Sequence, residues 1–107
     1  MSKYRTHTCG ELTKNNNGSD VTLSGWINKK RDHGNMLFIE LRDNFGITQC
    51  IIDKENKFFN NLEKIQLETV IKIDGTVAER SPDTINNEHK TGEIEVKILS
   101  YEVLGTC

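Results

Sequence analysis

Apolar residues return at every second position in four short runs of this chain, and that alternation constrains the fold more than any other feature. A strand sends successive side chains to opposite faces, so a period of two means one face on a core and the other toward solvent. Val21, Leu23 and Ile27 alternate with Thr22, Ser24, Trp26 and Asn28 in a first strand. Gly25 sits on its apolar parity, where a strand glycine marks a bend or bulge. A second strand runs from about Asn35 to Arg42 with Leu37, Ile39 and Leu41 inward. The tight turn "DNFG" leads to a third, about Ile47 to Asp53. A fourth, about Thr69 to Val77, turns Ile71, Ile73 and Val77 inward, and a fifth, Glu93 to Leu99, does the same with Ile94, Val96 and Ile98. Between the third and fourth the period changes. Phe58, Leu62 and Ile65 stand at i, i+4 and i+7, one face of a short helix.

This is an all-β layout with one short helix between strands 3 and 4, the arrangement of the OB-fold. That fold is a five-stranded Greek-key barrel whose strand 2–3 face and loops between strands 1–2 and 4–5 bind oligonucleotides. The 107 residues suffice for one such domain, residues 1–107, and not for two. No apolar run approaches the roughly 20 residues of a membrane helix, and "MSKYRTHTCGEL" lacks the apolar stretch of a secretory signal, so a cytoplasmic protein without a membrane partner is expected. Cys9, Cys50 and Cys107 form no CxxC pair, which favours reduced thiols over a disulfide framework or a zinc site.

A net charge of −2 argues against binding nucleic acid through bulk electrostatics, but its distribution is uneven. Residues 1–54 carry eight Lys/Arg against six Asp/Glu, whereas residues 55–107 carry six against ten. Any phosphate contact must therefore be local, and "KKRDHGN", read as the loop between strands 1 and 2, supplies Lys29, Lys30 and Arg31 for it.

One residue breaks the pattern. Phe38 shares its parity with Met36, Glu40 and Arg42, so a phenylalanine stands on the charged face of strand 2. An exposed aromatic in such a place is a platform for an unstacked base. Gln49 on strand 3 offers a donor and an acceptor to a base edge, Lys29 and Arg31 would hold phosphates, and Asp32 would orient them or accept from a base amino group. The competing reading makes Phe38 packing at the barrel mouth and the basic cluster a solvated surface. The sequence shows no nucleophile–base pair, metal cluster or phosphate-cradling glycine loop, so no catalytic residue is nominated.

The stretches "RTHTCGEL", "VTLSGWINKKRDHGNMLFIELRDNFGITQCII" and "DGTV…TGEIEV" resemble the N-terminal domain of bacterial-type aspartyl-tRNA synthetases, from about Tyr4 to Leu104. The resemblance implies an OB-fold that binds a tRNA anticodon. The residue matching Phe38 stacks on the central anticodon uridine, and the one matching Gln49 contacts the anticodon. Those matching Lys29, Lys30 and Arg31 grip the stem-loop. The segment matching Arg80 to Gly92 lies near the first and third anticodon bases. A glutamate matching Glu93 or Glu95 contacts a base, with the choice between them open. His33 stands where leucine is frequent in members that accept only aspartate tRNA, and histidine in members that also charge asparagine tRNA. The expected partners are thus the tRNA(Asp) anticodon stem-loop and, on the His33 reading, that of tRNA(Asn). The resemblance further implies a homodimeric parent that attaches aspartate to tRNA. Its ATP and Mg2+ belong to a downstream catalytic module for which 107 residues leave no room, and this domain itself holds no cofactor. Many members have arginine where this chain has Lys29 and Lys30, and lysine keeps the charge without the bidentate fork. The alternatives left by the residues alone are a free-standing single-stranded nucleic-acid-binding module and a protein-interaction domain.

Overall fold

The alternating runs become the staves of a closed barrel in the order β1-β2-β3-β5-β4. The strands are β1 (Asp20–Asp32), β2 (Met36–Asp43), β3 (Gly46–Asp53), β4 (Val70–Glu79) and β5 (Ile94–Gly105). A short α-helix, α1 (Phe59–Lys64), lies between β3 and β4. This computed structural model describes residues 7, 9–10, 12–32, 34–44, 46–80, 92 and 94–105. All strand pairs are antiparallel except β3–β5, which closes the barrel in parallel through Cys50↔Val96 and Ile51↔Lys97. The architecture is the OB-fold that the sequence pattern leads one to expect.

The inward parities of all five strands meet in one core: Val21, Leu23 and Ile27; Leu37, Ile39 and Leu41; Cys50 and Ile52; Ile71, Ile73 and Val77; Ile94, Val96 and Ile98. Leu62 and Phe59 of α1 join it. The phenylalanine buried in the helix is therefore Phe59, whereas Phe58, just before the helix, packs half-buried against the core and meets Tyr101 edge-on at 5.5 Å. Polar clamps hold the segment before β1 to the barrel. Asp43 accepts the backbone N–H of Cys9 at 2.8 Å and that of Gly46 at 3.0 Å, and the Thr48 hydroxyl donates to the Cys9 carbonyl at 2.6 Å. The "DNFG" turn is thus closed by its own aspartate, a recurrent use of this residue.

Two details of β1 differ from the sequence expectation, and both bear on function. Gly25 is no bulge: a Cβ there would lie 2.3 Å from the Arg42 carbonyl oxygen, so its bareness permits close approach of β2. The bulge comes three residues later, where the register with β2 jumps between Ile27 and Lys29 and leaves Asn28 unpaired. The "KKRD" stretch is therefore not a loop. It is the end of β1, paired to β2 through Lys29↔Glu40, Lys30↔Ile39, Arg31↔Phe38 and Asp32↔Leu37. The actual turn is short, with Gly34 at φ +81°, a conformation that favours glycine.

Candidate nucleic-acid interface

Without the bulge, Lys29 and Arg31 would share the inward parity of Ile27. The extra residue flips the phase of the strand, as a one-residue slip must. Lys29 and Arg31 then project on the outer face beside Glu40 and Phe38. Following the register across the sheet gives two rungs of outward side chains. One runs Lys29–Glu40–Gln49 and continues to Glu95, whose carboxylate accepts a hydrogen bond from Gln49 Nε2 at 3.2 Å. The other runs Arg31–Phe38–Ile51–Lys97. Rungs of one parity are about 7 Å apart along the strands, and neighbouring strands about 4.8 Å apart.

Phe38 is half-buried on this outer face, directly across from Ile51, which is only 4% exposed although it lies outside the main core cluster. Ile51 is thus its cross-strand neighbour, and part of the phenylalanine remains exposed. With Lys29, Arg31, Ile39, Glu40, Ile47, Gln49 and Arg80 the phenylalanine lines a pocket open to solvent.

The electrostatics are mixed. Arg80 is half-buried, and its Nε donates to the Ile94 carbonyl at 2.7 Å, which aims the guanidinium along the mouth of the pocket. Burial lowers its pKa, and Glu95 is the leading opposing influence; Arg31 and Glu40 lie within electrostatic reach. Glu40 in turn accepts from the Asn28 amide at 3.3 Å, so the unpaired bulge residue orders the carboxylate. Cations therefore stand at the rims of the pocket and acceptors at its centre, a layout suited to phosphates outside and base edges inside.

Several nominated residues have other places. Lys30, on the inward parity, turns its ammonium to the end of α1, donating to Glu63 O at 2.9 Å, to Leu62 O at 3.4 Å and to Ile65 O. It neutralises the negative end of a helix dipole rather than facing the pocket. Burial lowers its pKa, with Glu63 opposing. Asp32 is exposed and accepts the Gly34 N–H at 2.8 Å, so it shapes the turn. Glu95 takes the position beside Gln49. His33, Glu93 and the stretch 81–91 lie outside the described residues. Sequence reasoning missed Glu40, Ile47 and Ile39 as pocket walls, although Glu40 carries the readable signal of sharing the parity of Phe38. Among the described residues no group of His, Cys, Asp and Glu could hold a metal ion, and no helix is long and apolar enough to cross a membrane.

A closed five-stranded barrel with an aromatic platform, an amide–carboxylate pair and rim cations on its β1–β2–β3 face defines an oligonucleotide-binding type of domain. The chain belongs to the OB-fold nucleic acid binding domain family, whose model matches residues 21–104. It is 72% identical over its full length to an aspartate–tRNA(Asp/Asn) ligase of Pelagibacter ubique (strain HTCC1062) and 55% identical to that of Paracoccus denitrificans (strain Pd 1222). It spans 18% of the length of each of these relatives. In structure it resembles an aspartyl tRNA synthetase from Entamoeba histolytica, with a TM-score of 0.80 at 24% identity, covering 91% of this chain and 20% of that one. This last likeness speaks to the fold alone.

Proposed function

We propose that the β1–β2–β3 face binds the anticodon loop of a tRNA, as the recognition domain of an aspartate–tRNA ligase that accepts both tRNA(Asp) and tRNA(Asn). The observation that carries the reading is Phe38, held half-buried across from Ile51 with Gln49 and Glu95 in the adjoining rung and Lys29 and Arg31 on the rim. The 72% identity to a ligase named for both tRNAs supports the choice of partner.

In this reading an unpaired base stacks on Phe38. One N–H of the Gln49 amide donates to Glu95, which fixes the amide's orientation and leaves its second N–H and its carbonyl for a base edge. A uracil meets both with its N3–H and an adjacent carbonyl, whereas cytosine, with a bare N3 beside its amino group, needs the amide turned over, which would set the amide oxygen against Glu95. Arg80 supplies donors for the base carbonyls at the pocket mouth, and Lys29 and Arg31 neutralise phosphates. The two anticodons share the central uridine and differ at the third base, which this reading assigns to the neighbourhood of His33. The domain contributes affinity and specificity, and the ATP- and Mg2+-dependent joining of aspartate to tRNA falls to the remainder of the ligase.

Fluorescence anisotropy with anticodon stem-loop RNAs tests it. Aspartate and asparagine loops should bind within a few-fold of each other, and both more tightly than a loop with cytidine at the centre. Phe38→Ala should weaken the two cognate loops by ~1–3 kcal/mol, the worth of one stacked base. Equal binding of all three loops, with no effect of Phe38→Ala, would remove the reading.

A further inference from the structure

A carboxylate in the middle of a face that holds phosphates repels its ligand unless it meets a donor, and Glu40 is in that position. It lines the same pocket as Phe38 and Gln49, and on β2 it stands directly across from Lys29 on one side and Gln49 on the other. Phe38 lies two residues away along β2, on the same face. Asn28, the bulge residue, donates to Glu40 Oε2 at 3.3 Å, which holds the carboxylate in place and takes one of its roughly four acceptor sites. The rung Lys29–Glu40–Gln49 covers about 10 Å, two strand spacings, the order of a nucleotide from its phosphate to the pairing edge of its base.

We infer that Glu40 accepts the ribose 2′-hydroxyl of the nucleotide stacked on Phe38, and so makes this face choose RNA over DNA at that position. The inference rests on the anticodon reading above and deepens it. Within a strand a uridine has two good donors, the base N3–H and the 2′-OH, because its 3′ and 5′ oxygens are esterified. The Gln49 carbonyl answers the N3–H, and Lys29 answers the phosphate. The 2′-OH is what remains. Glu40 stands between those two contacts along the rung, as the ribose stands between phosphate and base. A carboxylate covered by RNA with no donor costs affinity, whereas an O–H given to a charged acceptor adds to it. The hydroxyl is what separates ribose from deoxyribose, so this contact tests the sugar. A carboxylate that only balances Lys29 gives no dependence on the sugar.

The test uses the full 107-residue chain and the aspartate anticodon stem-loop, with fluorine in place of the 2′-hydroxyl at the central uridine alone. Fluorine keeps the RNA-type sugar pucker and cannot donate. Wild type should bind the fluoro loop about tenfold more weakly, the order of one hydrogen bond to a charged group. Glu40→Ala should bind the two loops alike, and Glu40→Gln, which keeps a carbonyl acceptor, should retain a preference of about threefold. The wild-type arm needs no protein variant, so a fold defect in Glu40→Ala leaves the test intact. Equal binding of the two loops by wild type overturns the inference, and so does a full tenfold preference that persists in Glu40→Ala. Phe38→Ala judges the anticodon reading separately. If it weakens binding while wild type ignores the sugar, this inference falls and the anticodon reading stands. If Phe38→Ala has no effect, both fall.

Discussion

Lys30 is where the structure departs most sharply from a charge-based reading, and replacing it with methionine separates the two accounts. Methionine keeps an apolar stem of similar length and removes only the ammonium. In the folded chain that ammonium donates to three carbonyls around the end of α1. A cation at a helix C-terminus in a partly buried setting contributes up to ~2 kcal/mol, and a hydrogen bond to a charged group about 1.5–3 kcal/mol before water competes for it. Against this stands the desolvation that lowers the lysine's pKa, and the side chain is only half-buried, so water replaces part of what is lost. The net expectation is a loss of about 1–2 kcal/mol. For a domain this size that lowers Tm by roughly 4–16 °C, read by circular dichroism. The same substitution at exposed Lys29 should leave Tm within a few degrees. The RNA salt dependence should show the reverse order: Lys29→Met lowers the slope by about 0.7, whereas Lys30→Met leaves it unchanged. A Lys30→Met chain with wild-type Tm and a reduced slope would refute the capping role and return Lys30 to the RNA.

Asp43→Ala removes the acceptor of two backbone N–H groups and leaves that of buried Cys9 without it. Urea unfolding should show a loss of about 2–4 kcal/mol, and a loss below 1 kcal/mol would mean that the clamp is not holding the N-terminal segment. Burial pushes the Cys50 thiol from 9.0 up to about 12, against the pull of Arg80. The unfolded chain sheds this proton from about pH 9 and the folded chain only near pH 12. Its contribution is therefore intact below pH 9 and is lost as pH rises through that window, at about 1.4 kcal/mol per unit. Between pH 8 and 10.5, urea unfolding of wild type should lose about 2 kcal/mol more than that of Cys50→Ala, and parallel losses would contradict it.

The core-facing runs of β2 and β4 were legible because one of their faces is buried along most of its length, so burial writes itself into alternation, whereas β3, buried on both faces at its end, reads as an apolar run. The end of β1 was not legible. Three consecutive basic residues carry no alternation, and a bulge at Asn28 changes the phase without any marker such as glycine or proline. The second half of β5 escaped for a related reason: beyond Leu99 it runs through Glu102, Val103 and Leu104, all exposed, past a register shift between Asp74 and Gly75 of β4. A six-residue helix spans less than two turns, too few for its period to choose between Phe58 and Phe59. Phe38 stood out because it violates a clean pattern, and Gln49 because it interrupts an apolar strand. The role of Lys30 depends on where the end of α1 comes to rest, a tertiary fact that no local spacing encodes.

The central claim, that RNA lies across β1–β2–β3 with Phe38 beneath a base, is tested most directly by titrating the 15N-labelled chain with the aspartate anticodon stem-loop and following amide shifts. The account predicts that the largest changes cluster at Lys29, Arg31, Phe38 to Glu40, Ile47 to Gln49 and Arg80. Changes centred instead on the exposed apolar residues Leu67, Leu99 and Val103, with the Phe38 surroundings silent, would contradict it.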